Sequence, residues 1–128
     1  MSVEVSPFEL AGETPLRTEG LARLYAGRSA GQTIAMDVDE AGPLRLRFPR
    51  IAALGTLEAV LVNTGGGIVG GDRLQFEIEA GEGAAVAVTS QASEKIYRSA
   101  GAAAEISVRL SAAAKSCLAW LPQETILF

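Results

Sequence analysis

The densest run of chemically suggestive residues is Gly65-Gly66-Gly67-Ile68-Val69-Gly70-Gly71-Asp72. Gly65, Gly67 and Gly70 fall at the G-x-G-x-x-G spacing of a dinucleotide-binding turn, directly after an apolar stretch that ends at Asn63. That chemistry needs a helix to begin inside the glycine loop, so that its free N–H groups and dipole face a pyrophosphate. Here the glycines are followed by residues alternating with a period of two, the pattern of a strand. A P-loop fares no better, because Gly71 and Asp72 stand where Lys and Ser or Thr are required. The glycines then read as a turn needing positive φ and close backbone approach, with Asp72 capping it, and as a backbone surface for a partner.

A second cluster places Glu94, Lys95, Tyr97 and Arg98 within five residues, followed by Ser99. It brings charge and a phenol together but pairs no nucleophile with a base, so it reads as solvated charge around a packed ring. Asp37, Asp39 and Glu40 hint at a metal loop, yet lack the glycine and the remaining oxygen ligands of a calcium site. They read as a solvated turn. Cys117 on an apolar strand reads as a small buried hydrophobe. The last candidate segment is Trp120-Leu121-Pro122-Gln123-Glu124, with the chain's one tryptophan. An aromatic residue among polar ones suits either a core or an interface anchor.

These residues must be positioned mostly by strands. Ile34, Met36 and Val38 alternate with polar or small residues, as do Leu44, Leu46 and Phe48 before Pro49 ends the run. The stretch 20–27 also reads as a strand, joined to the next by the turn-like Arg28-Ser29-Ala30-Gly31. The apolar run 58–63 is a further strand. Leu74, Phe76 and Ile78, then the turn 80–83, then Ala84, Val86 and Val88 predict a β-hairpin over 73–90. Ile106, Val108 and Leu110 predict another strand facing in, and 117–128 two short strands broken at Pro122. Helix signals elsewhere are thin, and the stretch 90–99 has room for one or two helical turns at most. Strands succeed one another at roughly ten-residue spacing, which predicts an all-β fold of stacked hairpins, β-helix-like or a sandwich, with little helix and no strict repeat.

Composition sets the bounds. The chain has 128 residues, 48% hydrophobic, net charge −4, one cysteine and no histidine. That suffices for one core but offers no basic face for nucleic acid. The lack of histidine removes the commonest general base and transition-metal ligand, and with them a metal-dependent cupin. One cysteine, no signal-peptide pattern and no apolar run of membrane-spanning length predict a cytoplasmic protein away from the membrane. Residues 1–15, with Pro7, Gly12 and Pro15, read as a flexible N-terminal arm, and 16–128 as a single β-rich domain.

Four segments in order, Gly42-Pro43-Leu44, GGGIVGGD at 65–72, EKIYRS at 94–99 and WLPQETILF at 120–128, resemble the urease accessory proteins of the UreD (UreH) family. The pattern departs from the family at Asn63-Thr64, where a proline usually precedes the glycines, and at Ala119, where an acid usually precedes the tryptophan. The resemblance implies a non-catalytic β-rich scaffold, the N-terminal portion of a longer protein, assisting nickel insertion into apo-urease. It implies no tightly bound cofactor, with nickel only in transit. It also implies partnership with the urease apoprotein and a UreF-type helical accessory protein, and indirectly with a UreG-type GTPase. On this reading Gly66, Gly67, Gly70, Gly71, Asp72, Lys95, Tyr97, Arg98, Ser99 and the Trp120, Leu121, Pro122, Gln123, Glu124 segment shape partner surfaces or a metal passage. Two rival readings are a nucleotide-binding enzyme using the 65–72 loop and a small β-sandwich that binds sugars or peptides through Tyr25, Tyr97 and Trp120.

Overall fold

A computed structural model describes residues 18–49, 55–91, 94–97 and 101–127. The expected arm at 1–15 lies outside them. The described residues form strands β1 (Glu19–Ser29), β2 (Gln32–Ala41), β3 (Leu44–Arg47), β4 (Thr56–Asn63), β5 (Arg73–Ala80), β6 (Ala85–Ser90), β7 (Glu94–Ile96), β8 (Glu105–Ala112), β9 (Cys117–Leu121) and β10 (Thr125–Leu127). No helix occurs among the described residues, so none is long and apolar enough to cross a membrane.

The strands make two four-stranded sheets, β2-β1-β5-β8 and β3-β4-β6-β9, and a short ladder of β7 with β10. Ile68 bridges in parallel to Ile96 and so adds a rung to that ladder. The chain therefore visits the second sheet, the short ladder and the first sheet in turn: β4, Ile68, β5; then β6, β7, β8; then β9, β10. This is a three-sided parallel β-helix. Its register repeats without a sequence repeat: Thr56 lies on Ala85 and Ala85 on Cys117, while Arg73 lies on Glu105.

Two expectations are corrected by this path. Residues 73–90 are not a hairpin, because β5 pairs with β1 and β8 in one sheet and β6 with β4 and β9 in the other. The turn at 81–84 carries the chain between sheets: Gly81 N–H donates to Ala26 O, and Gly83 N–H to Ala114 O. Alternation shows that two strands flank a turn; it cannot show whether they pair with each other. The stretch 90–99 holds no helix in its described part but strand β7, whose neighbours on the ladder override a weak local preference.

The start of the chain is a true hairpin. β1 and β2 are antiparallel through a two-residue turn of Ala30 (φ 51°) and Gly31 (φ 78°), the backbone that matches strand twist. β2 also runs through Asp37, Asp39 and Glu40, which are therefore strand residues and not a turn. Glu40 accepts a hydrogen bond from Leu46 N–H at 2.6 Å. Thr33 is buried, donating to Gly55 O at 2.6 Å and accepting from Ala85 N–H at 2.9 Å, which ties the hairpin to the second sheet.

Inward side chains stack on their counterparts one coil away. The buried core is Leu24, Leu44, Leu46, Leu61, Ile68, Leu74, Ile78, Val86 and Val88, with five alanines where the walls approach closely. Ile106, Val108 and Leu110 lie in register on Leu74, Phe76 and Ile78, hence on the same face, but remain half exposed. They face in without being covered. Cys117 is exposed rather than buried. On the outer face of the first sheet, charges alternate across the strands. Asp39, Arg23, Glu77 and Arg109 form one row and Glu19, Arg73 and Glu105 another. Arg23 bridges Glu77 at 2.8 Å and Asp39 at 3.2 Å, and the Glu77 hydrogen bond is the main cause holding its guanidinium pKa above the ordinary value.

Candidate functional site

The glycine loop makes the corner between β4 and β5. Gly66 (φ 86°) and Gly71 (φ 92°) take the left-handed backbone expected of the cluster; Gly65, Gly67 and Gly70 do not. Gly67 is needed for a different reason. A Cβ there would collide with the ring of Tyr97, which lies directly on the glycine backbone. The two segments are joined further by Ile68 N–H to Lys95 O at 2.7 Å and Tyr97 N–H to Ile68 O at 2.9 Å. The structure thus brings together two of the motifs that the sequence set apart by nearly thirty positions.

Asp72 closes the loop. Its carboxylate is buried, with the residue 3% exposed, and accepts from Val69 N–H at 2.9 Å and Thr18 N–H at 3.1 Å. The Asp72 N–H donates back to Val69 O at 3.1 Å, and Gly71 N–H to Ala103 O at 3.2 Å. Every polar atom of that carboxylate has a structural duty, so Asp72 acts as the expected turn cap. The loop runs into strand β5 and not into a helix, so no helix N-terminus faces the glycines and no phosphate cradle is formed.

The tryptophan segment meets the loop across the interior. Trp120 is partly buried and its ring lies 5.9 Å from that of Phe76, tilted by 57°, a separation typical of attractive ring pairs. Gln123 N–H donates to Ser90 Oγ at 2.8 Å. Together with Gly66 and Ile68, residues Trp120, Pro122 and Gln123 line a cavity of about 270 Å³ inside the last coils, apolar along its walls. Phe76, Ile106 and Val108 are among the other residues that line it. The sequence placed these three in strands but not at a site; their signal was the period-two pattern, which cannot report an unfilled interior.

Leu121 and Glu124 lie outside this cavity and are exposed, as is Lys95. Arg98 and Ser99 lie outside the described residues. Around the short ladder, Val69, Tyr97, Ile126 and Leu127 are each more than a third exposed. Leu127 lies in register on Ile96, which bridges the buried Ile68, and so shares their inward face; Val69 and Tyr97 directly follow that bridged pair and Ile126 lies in register on Lys95, which puts these on the opposite, outer face. The result is an apolar strip along one side of the stack, with exposed Lys95 beside it. Among the described residues, no three His, Cys, Asp or Glu side chains come together as metal ligands would.

Residues 18–128 match the family model described as UreD urease accessory protein. The chain is 51% identical over 112 residues to the urease accessory protein UreD of Rhodopseudomonas palustris (strain BisB18), covering 88% of this chain and 40% of that protein. It is 50% identical over 113 residues to a UreD of Methylobacterium sp. (strain 4-46), covering 88% and 40%. Against UreD 1 of Brucella anthropi identity is 45% over 120 residues, covering 94% and 42%. The chain thus spans about two-fifths of the length of the curated relatives it matches.

Proposed function

The chain belongs to the UreD urease accessory protein family, and from that premise we propose that it is a scaffold in urease maturation, holding protein partners while nickel enters apo-urease. It performs no catalysis of its own on this reading and works in the cytoplasm. Its partners are the urease apoprotein and a UreF-type helical accessory protein, with a UreG-type GTPase recruited through the latter. Nickel passes as cargo and no cofactor is held tightly. The 16–128 segment acts as one β-rich domain of a longer protein.

The observation that carries the docking part is the apolar strip of Val69, Tyr97 and Ile126 on the outer face of the short ladder. Exposed apolar side chains scattered singly need no explanation, whereas a row of them along one side marks an interaction surface. A helical partner laying its own apolar face along such a row would bury it, with Lys95 at the rim. The seat of Tyr97 on Gly67 fixes the ring at the centre of that row without a flexible side chain beneath it.

The test is co-expression with the helical accessory protein and size-exclusion chromatography of the complex. Ile126→Asp alters an outer-face residue, 38% exposed, and should abolish co-elution while leaving the circular dichroism spectrum unchanged. Gln32→Ala, at the exposed turn of the β1–β2 hairpin, should leave co-elution intact. Full co-elution of Ile126→Asp would overturn the strip as the docking surface.

A further inference from the structure

The second sheet begins at β3, and among the described residues no strand pairs with its outer edge. The ladder with β4 fixes which backbone groups lie on that edge. Thr64 N–H donates to Pro43 O and Leu44 faces Asn63, so the hydrogen-bonded pairs are Arg45 with Val62 and Arg47 with Val60. The amides and carbonyls of Leu44 and Leu46 therefore point away from β4. Such an edge is ordinarily a template for another strand.

Here side chains of the same chain already hold it. Leu46 N–H donates to Glu40 Oε2 at 2.6 Å. Arg45 Nη1 donates to Leu44 O and to Gly42 O, each at 2.7 Å, and Arg47 Nη1 to Leu46 O at 3.1 Å. Glu40 and Arg47 also form an ion pair at 3.6 Å, which ties the two groups on Leu46 together. Glu40 lies in register with buried Ala22, so this carboxylate stands on the inward face of β2 and reaches β3 around the corner between the sheets. An inward-pointing charge on an edge strand is one of the devices that oppose strand addition. Two more are present: β3 has only four residues, and prolines 43 and 49 flank it. A second β3 laid antiparallel on this edge would also set its own Arg45 and Arg47 against the first pair, like charge on like. In the first sheet the corresponding edge strand, β2, is bulged: Asp37 faces Tyr25 and Ala35 faces Ala26, which leaves Met36 without a partner across the ladder.

We propose that Glu40, Arg45 and Arg47 lock the outer edge of β3, so that no strand of a second copy or of a partner adds to the first coil. The lock makes this end of the stack a terminus and leaves side-chain contact as the way a partner docks there. It rests on bonds the chain makes within itself, and is independent of the urease role and of the strip around the short ladder.

Site-resolved hydrogen exchange of the full chain tests it. In the parent chain the Leu46 amide should exchange slowly at every protein concentration. Glu40→Ala should speed that amide about tenfold. Glu40→Gln keeps an acceptor oxygen and should preserve most of the protection. The amides of Arg45 and Arg47, which face β4, should stay slow in both variants and so report an intact fold. Removing all three side chains, with Glu40→Ala, Arg45→Ser and Arg47→Ser, should let β3 take a strand. Raising that variant from about 10 μM to about 500 μM should slow its Leu46 amide again, and sedimentation equilibrium should show association about tenfold tighter than the parent's. If the triple variant loses the Arg45 and Arg47 protection, the milder pair Glu40→Ala with Arg47→Ser decides over the same range. Leu46 protection that survives Glu40→Ala would overturn the proposal, because something other than the carboxylate would then hold the edge. A folded, unlocked variant that associates no more tightly than the parent would overturn it as well.

Discussion

Strands β5 and β8 carry nearly the same message and meet different fates. Both alternate apolar and polar residues, and Leu74, Phe76 and Ile78 lie in register on Ile106, Val108 and Leu110. Leu74 and Ile78 are 2% and 1% exposed, while Ile106, Val108 and Leu110 are 43%, 45% and 42% exposed. The difference is place in the stack. Among the described residues β5 has a strand on each side, β1 and β8, and inward neighbours from both flanking coils, whereas β8 has one. In a parallel β-helix each rung is buried by the rungs above and below it, so burial belongs to position and not to the strand's own sequence.

The comparison can be broken most directly by truncating matched residues. Ile78→Ala should cost about 3 kcal/mol in urea denaturation, the range for emptying a filled core position. Leu110→Ala, the residue in register with it, should cost about 1 kcal/mol or less, because half of its surface is already in water. Equal losses at the two positions would mean that β8 is covered and the comparison fails. The second largest effect should come from the closed end of the glycine corner. Asp72→Ala removes the buried carboxylate that accepts from the Thr18 and Val69 N–H groups and should cost about 2 kcal/mol; Glu124→Ala, at an exposed residue, should be silent in the same assay. The smallest change should be a gain. Ala30 holds φ 51° in the hairpin turn, a left-handed conformation that disfavours a Cβ, so Ala30→Gly should stabilise the chain by about 0.5 kcal/mol. Thermal unfolding would measure it, and a loss would show that the unfolded-state entropy of glycine outweighs the strain.

The two parts of the candidate site differ in the same way. The glycine corner is complete: its carboxylate, its positive-φ glycines and the Tyr97 seat are all satisfied by described neighbours. The Trp120 segment borders an interior of about 270 Å³ that stays unfilled. One is a finished joint among the described residues, which is why docking is assigned to the strip beside it.

By itself the sequence determined the strand content, most strand positions, the β1–β2 hairpin, the break at Pro122 and the kinship carried by its four motifs. These depend on local alternation, on turn chemistry and on residue identity, all of which are written along the chain. It also indicated that Gly65 to Asp72 was a turn and not a nucleotide loop, because the residues that follow set the period of what comes next. Only the tertiary structure decided that β5 and β6 part into different sheets, that 94–96 is a rung, that Gly67 is glycine for the sake of Tyr97, and that Ile106, Val108 and Leu110 face in yet lie open. Each of these rests on which strand lies beside which across about thirty residues of chain. A period of two tells a side chain which face to take, but it cannot tell it what stands opposite.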